Sequence, residues 1–138
     1  MKVGEVMNPE VITVTPDHRV CDLIELFQEK DITGVPVIDD DKMVGIISKK
    51  DILPLVASFD IDFETPEKLK RTCAYKVKDY MKTEVISVPP VEAIEACAMI
   101  MINSNINRLP VIEGGSLLGI VTRGDILKAL AGCSCCTI

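Results

Sequence analysis

The feature that most constrains this chain of 138 residues is an internal duplication. Residues 2–56 align with residues 76–130 at a constant offset of 74 and without gaps. The match is clearest between residues 44–53 (VGIISKKDIL) and 118–127 (LGIVTRGDIL), where a Gly, a hydroxyl residue and an Asp keep their spacing. An internal repeat has to be recognised before any fold is assigned, because each copy is expected to form the same structural unit.

Hydrophobic periodicity and turn residues predict the order β-α-β-β-α in each copy. In repeat one, Thr15 is a candidate N-cap and Pro16 a candidate first residue of the first helix. The predicted elements of repeat one are strand 10–14, helix 17–30, strands 35–38 and 43–47, and helix 48–57. Those of repeat two are strand 84–88, helix 91–104, strands 109–112 and 117–121, and helix 125–131. The predicted organisation is repeat one at 1–57, a linker at 58–75, repeat two at 76–131 and a Cys-rich tail at 132–138. The linker is expected to be partly helical, because Thr65-Pro66-Glu67 is a helix-start signal.

Composition excludes several classes of function. Hydrophobic residues make up 48% of the chain and the net charge is −6, so a core can form but a basic nucleic-acid-binding face is not expected. No stretch approaches the roughly 18 apolar residues of a membrane span, and residues 1–10 lack the apolar core of a signal peptide. A cytoplasmic protein is therefore predicted, with Cys21, Cys73 and Cys97 as buried free thiols.

The predicted first helix of repeat two differs from its counterpart in repeat one. Residues 93–102 (AIEACAMIMI) are apolar nearly all round, whereas the helix of repeat one has a charged face. A helix that is apolar all round is buried on more than one side. Burial between the two repeats and burial in a homodimer both fit this pattern.

The duplicated β-α-β-β-α unit, its Pro-Val-Ile strand and its Gly-apolar-apolar-Ser/Thr-x-x-Asp segment together resemble a tandem pair of CBS domains, or Bateman module. The resemblance covers nearly the whole chain apart from the linker and the tail. It implies an α+β fold in which two pseudo-symmetric repeats pack together as one module. It also implies a regulatory protein that binds an adenosine-containing ligand (AMP, ADP, ATP or S-adenosylmethionine) in clefts between the repeats. Such modules commonly form disc-like homodimers through their helices.

The resemblance assigns ribose and phosphate contacts to matching positions of the two copies. These are Asp125 and Thr122 in repeat two and Asp51 and Ser48 in repeat one, with Thr13 or Ser87 from the first strand. A carboxylate can accept two hydrogen bonds from a vicinal diol, which suits the two Asp residues for ribose. The same Ser/Thr-x-x-Asp spacing also fits a capping box at a helix start, and the two roles are compatible.

Basic residues distinguish the two copies. Arg108 and Arg123 flank the predicted site of repeat two, whereas Gly34 and Lys49 stand at the matching positions of repeat one. Arginine holds a phosphate as a bidentate fork, so the site with Asp125 is the better predicted phosphate site, although solvated surface arginines remain an alternative. Pro54 also weakens repeat one, unless Asp51 and not Ser48 is the N-cap, so that the proline lies in the first turn of the helix.

No Ser/His/Asp set, metal-ligand cluster or phosphate-binding Gly loop can be assembled, so an enzyme is not expected and no cofactor is required. The prediction is a nucleotide sensor that shifts between conformations and signals to a partner that the sequence does not name. One alternative is a constitutive dimerisation scaffold whose clefts are vestigial. Another is a thiol- or metal-responsive switch that acts through Cys133, Cys135 and Cys136.

Overall fold

A computed structural model describes residues 1–57 and 70–132. The helix-start signal of the linker and the three tail cysteines lie outside these residues, and so do the predictions that rest on them. The chain divides into two compact units. The repeat-one unit comprises residues 12–85, and the repeat-two unit comprises residues 1–11 together with the chain from Ile86 onward.

Within the described residues, each unit has a β-hairpin with one α-helix before it and one after it, in the order that the sequence predicts, and residues 70–72 are also helical. The repeat-one unit has α1 (Val20–Lys30), β1 (Gly34–Asp39), β2 (Lys42–Ser48) and α2 (Lys49–Ala57). The repeat-two unit has α3 (Ile94–Ser104), β3 (Arg108–Glu113), β4 (Ser116–Thr122) and α4 (Arg123–Ala131). Short 3₁₀ turns occur at Val3–Glu5 and Val77–Asp79. The predicted hairpins and the helices that follow them are confirmed to within two residues at each end.

The two hairpins have the same register. Strands β1 and β2 pair antiparallel, as do β3 and β4, and each pair has one irregularity at the same place. Their turns need two successive residues with positive φ, the requirement of a type I′ turn. Asp40 and Asp41 supply these conformations in one hairpin, and Gly114 and Gly115 supply them in the other.

The predicted strands 10–14 and 84–88 are wrong, because each contributes a single residue to a sheet. Val14 bridges Val37 in parallel, with its N–H donating to the Pro36 carbonyl at 3.1 Å. Extending this parallel pairing in either direction would require an N–H from Pro36 or from Pro16, and proline has none. The second copy repeats the arrangement at Val88, between the matching prolines.

The opening segments of the two repeats are exchanged between the units. Residues 1–11 belong to the unit of repeat two, and residues 76–85 belong to the unit of repeat one. Val3 and Val77 are completely buried, each in the core of the unit that its segment joins. Each segment also pairs with the second strand of its hairpin, Asn8 with Ile120 and Lys82 with Ile46. The compact units therefore do not coincide with the repeats of the sequence.

This exchange also explains why the first helix of each repeat begins later than predicted. Helix α1 begins at Val20 with Arg19 in the N-cap position, so the assignment of Thr15 as N-cap and Pro16 as first helical residue is wrong. The carbonyls of Pro16 and His18 accept hydrogen bonds from the opening segment of repeat two, at 2.9 Å each. Backbone groups that are paired in this way do not form the first turn of the helix.

Two of the three cysteines that the sequence predicts to be buried free thiols are not free. Cys21 forms a disulfide with Cys73, which lies 52 residues further along the chain. The sequence shows that both residues lie in or beside apolar patterns, but it does not show that the end of the linker returns to α1. Cys97 is a buried free thiol, as predicted, and its burial raises the pKa of that thiol.

Candidate ligand-binding site

The predicted site residues of each copy gather at one end of a hairpin, where its second strand passes into a helix. Thr122 is the last residue of β4, and α4 follows at once. Its partner across the hairpin is Arg108, the first residue of β3. Ser48 has the same place in the other unit, and its partner across the hairpin is Gly34. We call the set Ser87, Arg108, Thr122, Arg123 and Asp125 the Asp125 site, and the set Thr13, Ser48, Lys49 and Asp51 the Asp51 site.

Asp125 and Thr122 form a reciprocal capping box at the start of α4. The Thr122 N–H donates to Asp125 Oδ2 at 2.9 Å, and the Asp125 N–H donates to the Thr122 hydroxyl at 3.2 Å. The capping role predicted from the spacing is therefore confirmed. It uses one carboxylate oxygen, and Asp125 Oδ1 has no partner among residues 1–57 and 70–132. The carboxylate is thus held in a fixed orientation and keeps an acceptor for a ligand.

Asp51 is held in a similar way in the other copy. Asp51 Oδ2 accepts hydrogen bonds from the Ser48 N–H at 2.8 Å and from the Ser48 hydroxyl at 3.1 Å. Helix α2 begins at Lys49, so Asp51 lies in the first turn and does not occupy the N-cap position. The expectation that would place Pro54 in the first turn is therefore wrong, since Pro54 is the sixth residue of the helix. Its ring removes one backbone hydrogen bond from the interior of α2.

Thr13 and Ser87 lie on the same chain segments as the single parallel bridges. Thr13 directly precedes Val14 in the repeat-one unit, and Ser87 directly precedes Val88 in the repeat-two unit. Parallel register places Thr13 towards the end of β1 that pairs with Ser48. Each hydroxyl residue is exposed and belongs to the unit that contains the aspartate of the same repeat.

The two arginines of the Asp125 site have different surroundings. The Arg123 guanidinium donates to the carbonyls of Ile106 at 3.1 Å and Met101 at 3.3 Å, at the end of α3. Arg123 thus caps α3, and a phosphate would have to compete with these two carbonyls. Arg108 is half-buried beside Thr122, and burial lowers the pKa of its guanidinium. An arginine pKa is so high that Arg108 still carries its positive charge at neutral pH.

Lys82 is a residue of the Asp51 site that sequence reasoning missed. Its ammonium lies 3.8 Å from Asp51 Oδ1, the carboxylate oxygen that Ser48 does not use. Lys82 belongs to the opening segment of repeat two, so its proximity to Asp51 depends on the exchange of segments between units. A comparison of the copies does find a difference here, because Asn8 stands at the matching position, but it does not place Lys82 beside Asp51.

The two hairpin-and-helix units, each with an Asp that accepts the backbone N–H of the residue ending its second strand, define a duplicated α+β module. The chain belongs to the CBS domain family, whose model matches residues 3–58 and 77–132. The family predicted from the repeated motif is confirmed. No helix within the described part of the chain is long and apolar enough to cross a membrane.

Relatives of this chain include both short and long proteins. It is 36% identical to the uncharacterized protein MJ1426 of Methanocaldococcus jannaschii, over 94% of this chain and 91% of that protein. It is also 36% identical to MJ1232 of the same organism, over 96% of this chain but only 40% of that longer protein. Among solved structures, it is similar to CBSX2 of Arabidopsis thaliana in complex with AMP. That structure has a TM-score of 0.79 and 33% identity, over 94% of this chain and 96% of the other.

Proposed function

We propose that this protein is a regulatory module that binds an adenosine-containing ligand and reports metabolic state through a conformational shift. AMP, ADP, ATP and S-adenosylmethionine are the candidate ligands. The observation that carries the proposal is the fixed orientation of Asp125, whose second carboxylate oxygen has no partner in the described chain. The similarity to CBSX2, which was crystallised with AMP, supports the choice of ligand class.

In the proposed complex, the Asp125 carboxylate accepts hydrogen bonds from the ribose hydroxyls and the Thr122 hydroxyl contacts ribose or phosphate. Arg108 contributes a charge at the adjacent end of β3, and Ser87 lies on the neighbouring segment. The Asp51 site makes the equivalent contacts with Ser48, Thr13 and Lys49. A contribution from Arg123 requires its release from the end of α3.

Ligand binding becomes regulation if the ligand binds one conformation of the chain more tightly than another. The population then shifts towards the favoured conformation, and a partner protein recognises the changed surface. No catalytic step is part of the proposal. The proposed location is the cytoplasm, which accords with the free thiol of Cys97 but not with the Cys21–Cys73 disulfide.

Thermal unfolding in the presence of each candidate ligand tests this proposal. A ligand at about 100 times its Kd stabilises a protein by about 2.7 kcal/mol, which raises Tm by about 5–15 °C for a chain of this size. Asp125→Asn is a suitable variant, because an asparagine oxygen still accepts the Thr122 N–H but the charge is lost. We expect it to keep the Tm of the free protein and to lose much of the ligand-induced shift. If the unaltered protein shows no shift with any of the four ligands, the proposal is refuted for them.

A constitutive homodimer is the second candidate function, because apolar side chains are exposed on both helices of the repeat-two unit. Met99 and Ile102 lie one turn apart on α3, with 55% and 67% of their surface exposed. Leu127 and Leu130 are similarly exposed on α4. Light scattering after size exclusion would measure the mass of the particle. A dimer that Ile102→Glu dissociates, without nucleotide affinity in either form, would favour a scaffold over a sensor.

A further inference from the structure

The side chain of Lys82 is presented to the Asp51 site by a fixed backbone. Lys82 and Ile46 exchange two hydrogen bonds, with the Lys82 N–H donating at 2.8 Å and the Ile46 N–H at 2.9 Å. The ammonium lies 3.8 Å from Asp51 Oδ1, which belongs to a largely buried carboxylate. The Lys82 side chain itself is 66% exposed, so its ammonium can also reach a molecule that binds beside Asp51.

The Asp125 site has the same backbone arrangement with a neutral residue. Asn8 and Ile120 exchange two hydrogen bonds, at 2.8 and 3.0 Å. The Asn8 side chain accepts a hydrogen bond from the backbone N–H of Glu10, within its own segment. The Asp125 site instead has Arg108, at the end of β3 that pairs with Thr122, where the other copy has Gly34. Each site therefore includes one cation that the other site lacks, and the two cations come from different parts of the fold.

A structural role does not account for this lysine. An ion pair in which one partner is largely exposed contributes about 0–1 kcal/mol to stability. The hydrogen bonds that hold the segment on β2 are made by the backbone, and Asn8 makes the same bonds in the other copy. The fold thus does not require a positive charge at residue 82.

We propose that Lys82 is the phosphate-binding residue of the Asp51 site and that it makes this site selective for phosphorylated adenosine ligands. The inference rests on the proposed function and adds a residue that the sequence comparison did not find. When Asp51 accepts the ribose hydroxyls, the Lys82 ammonium moves from the carboxylate to the phosphate of the same ligand. Lysine can do this because its ammonium is a mobile point charge on a flexible stem.

Calorimetric titration with AMP and with adenosine tests the proposal, because the two ligands differ only in the phosphate. The titrations use Asp125→Asn as the parent, so that the Asp51 site is measured alone. Lys82→Asn introduces the residue that the other copy carries, and Lys82→Arg keeps a cation. Lys78→Asn is the matched control, since Lys78 lies on the same segment and pairs with Asp17 at 3.4 Å.

We expect Lys82→Asn to weaken AMP binding by about 10- to 100-fold, the loss of one charge-assisted hydrogen bond, and to leave adenosine binding unchanged. Lys82→Arg should restore most of the AMP affinity, and Lys78→Asn should bind both ligands like the parent. Unchanged AMP affinity in Lys82→Asn would overturn the inference, and so would an equal loss for adenosine. Tighter binding of both ligands would overturn it too, since Lys82 would then screen Asp51.

The failure of this inference can be told apart from the failure of the proposed function. If the unaltered protein binds AMP but the Asp125→Asn parent does not, the Asp51 site is inactive and the role of Lys82 is refuted, whereas the sensor function stands. If the unaltered protein binds neither ligand, the proposed function fails for these ligands and the inference fails with it.

Discussion

Two glycines test whether the opening segments are docked as the structure describes. Gly45 in β2 and Gly119 in β4 lie directly beneath these segments. A Cβ atom on Gly45 would lie 2.8 Å from the carbonyl oxygen of Lys82 and 2.8 Å from the sulfur of Met81. On Gly119 it would lie 2.8 Å from the carbonyl oxygen of Asn8. The methionine side chain can move away, but the carbonyl is fixed by the backbone pairing across the strand.

We therefore expect both Gly45→Ala and Gly119→Ala to destabilise the protein. Overpacking of this kind costs about 1–3 kcal/mol, because the segment must shift away from the strand. Gly124→Ala is the matched control. A Cβ there meets nothing closer than 3.7 Å, and alanine in a helix is about 0.5–1 kcal/mol more favourable than glycine.

Urea unfolding of the three variants measures these changes, since the midpoint shifts while the slope stays constant. The predicted order of stability is Gly124→Ala, then the unaltered protein, then the two strand variants. If both strand variants match the unaltered protein while the control is stabilised, the close packing of the segments on β2 and β4 is refuted. Gly45→Ala should also weaken AMP binding at the Asp51 site, because it displaces the backbone that presents Lys82.

Two further predictions concern single links in the fold. The Cys21–Cys73 disulfide joins residues 52 positions apart, so its reduction should lower the free energy of unfolding by up to about 4 kcal/mol. Identical urea unfolding curves with and without reductant would contradict this prediction. Arg123→Ala should cost about 1–2 kcal/mol, because the carbonyls of Met101 and Ile106 lose their hydrogen bonds to the guanidinium. Lys49→Ala, at the matching position of repeat one, is the control and should change the urea midpoint little, since the Lys49 side chain has no partner in the described chain. Equal effects of the two variants would refute the capping role of Arg123.

Local signals were sufficient to predict the hairpins and the capped aspartates. Alternating apolar residues, two-residue turns and the Ser/Thr-x-x-Asp spacing act within a few residues, and duplication presents each signal twice. The single-residue bridges could also have been predicted, because Pro16 and Pro36 remove the two N–H groups that a longer parallel pairing would need. The prediction of a strand there rests on β-propensity alone, which takes no account of whether the paired residues have N–H groups to donate.

The missed features depend on contacts that are distant in the sequence. The delayed start of α1 follows from carbonyls that bond to residues 77 and 78, and the disulfide joins α1 to the same returning chain. Lys82 was missed for the same reason, because its role depends on which unit its segment joins. Periodicity and spacing report on one element at a time, so they do not contain this information.

The exchange of segments also changes how sequence differences between the two repeats should be interpreted. A substitution in repeat two at residue 82 alters the surroundings of Asp51 in repeat one, and a substitution at residue 8 alters the unit that contains Asp125. In the repeat-one unit the opening segment therefore supplies Lys82 and the hairpin supplies Gly34. In the repeat-two unit the opening segment supplies Asn8 and the hairpin supplies Arg108. The Arg108 guanidinium is planar and half-buried, whereas the Lys82 ammonium is exposed on a flexible stem. Since the two sites have the same backbone but different kinds of cation, we expect them to differ in ligand preference rather than to bind identically.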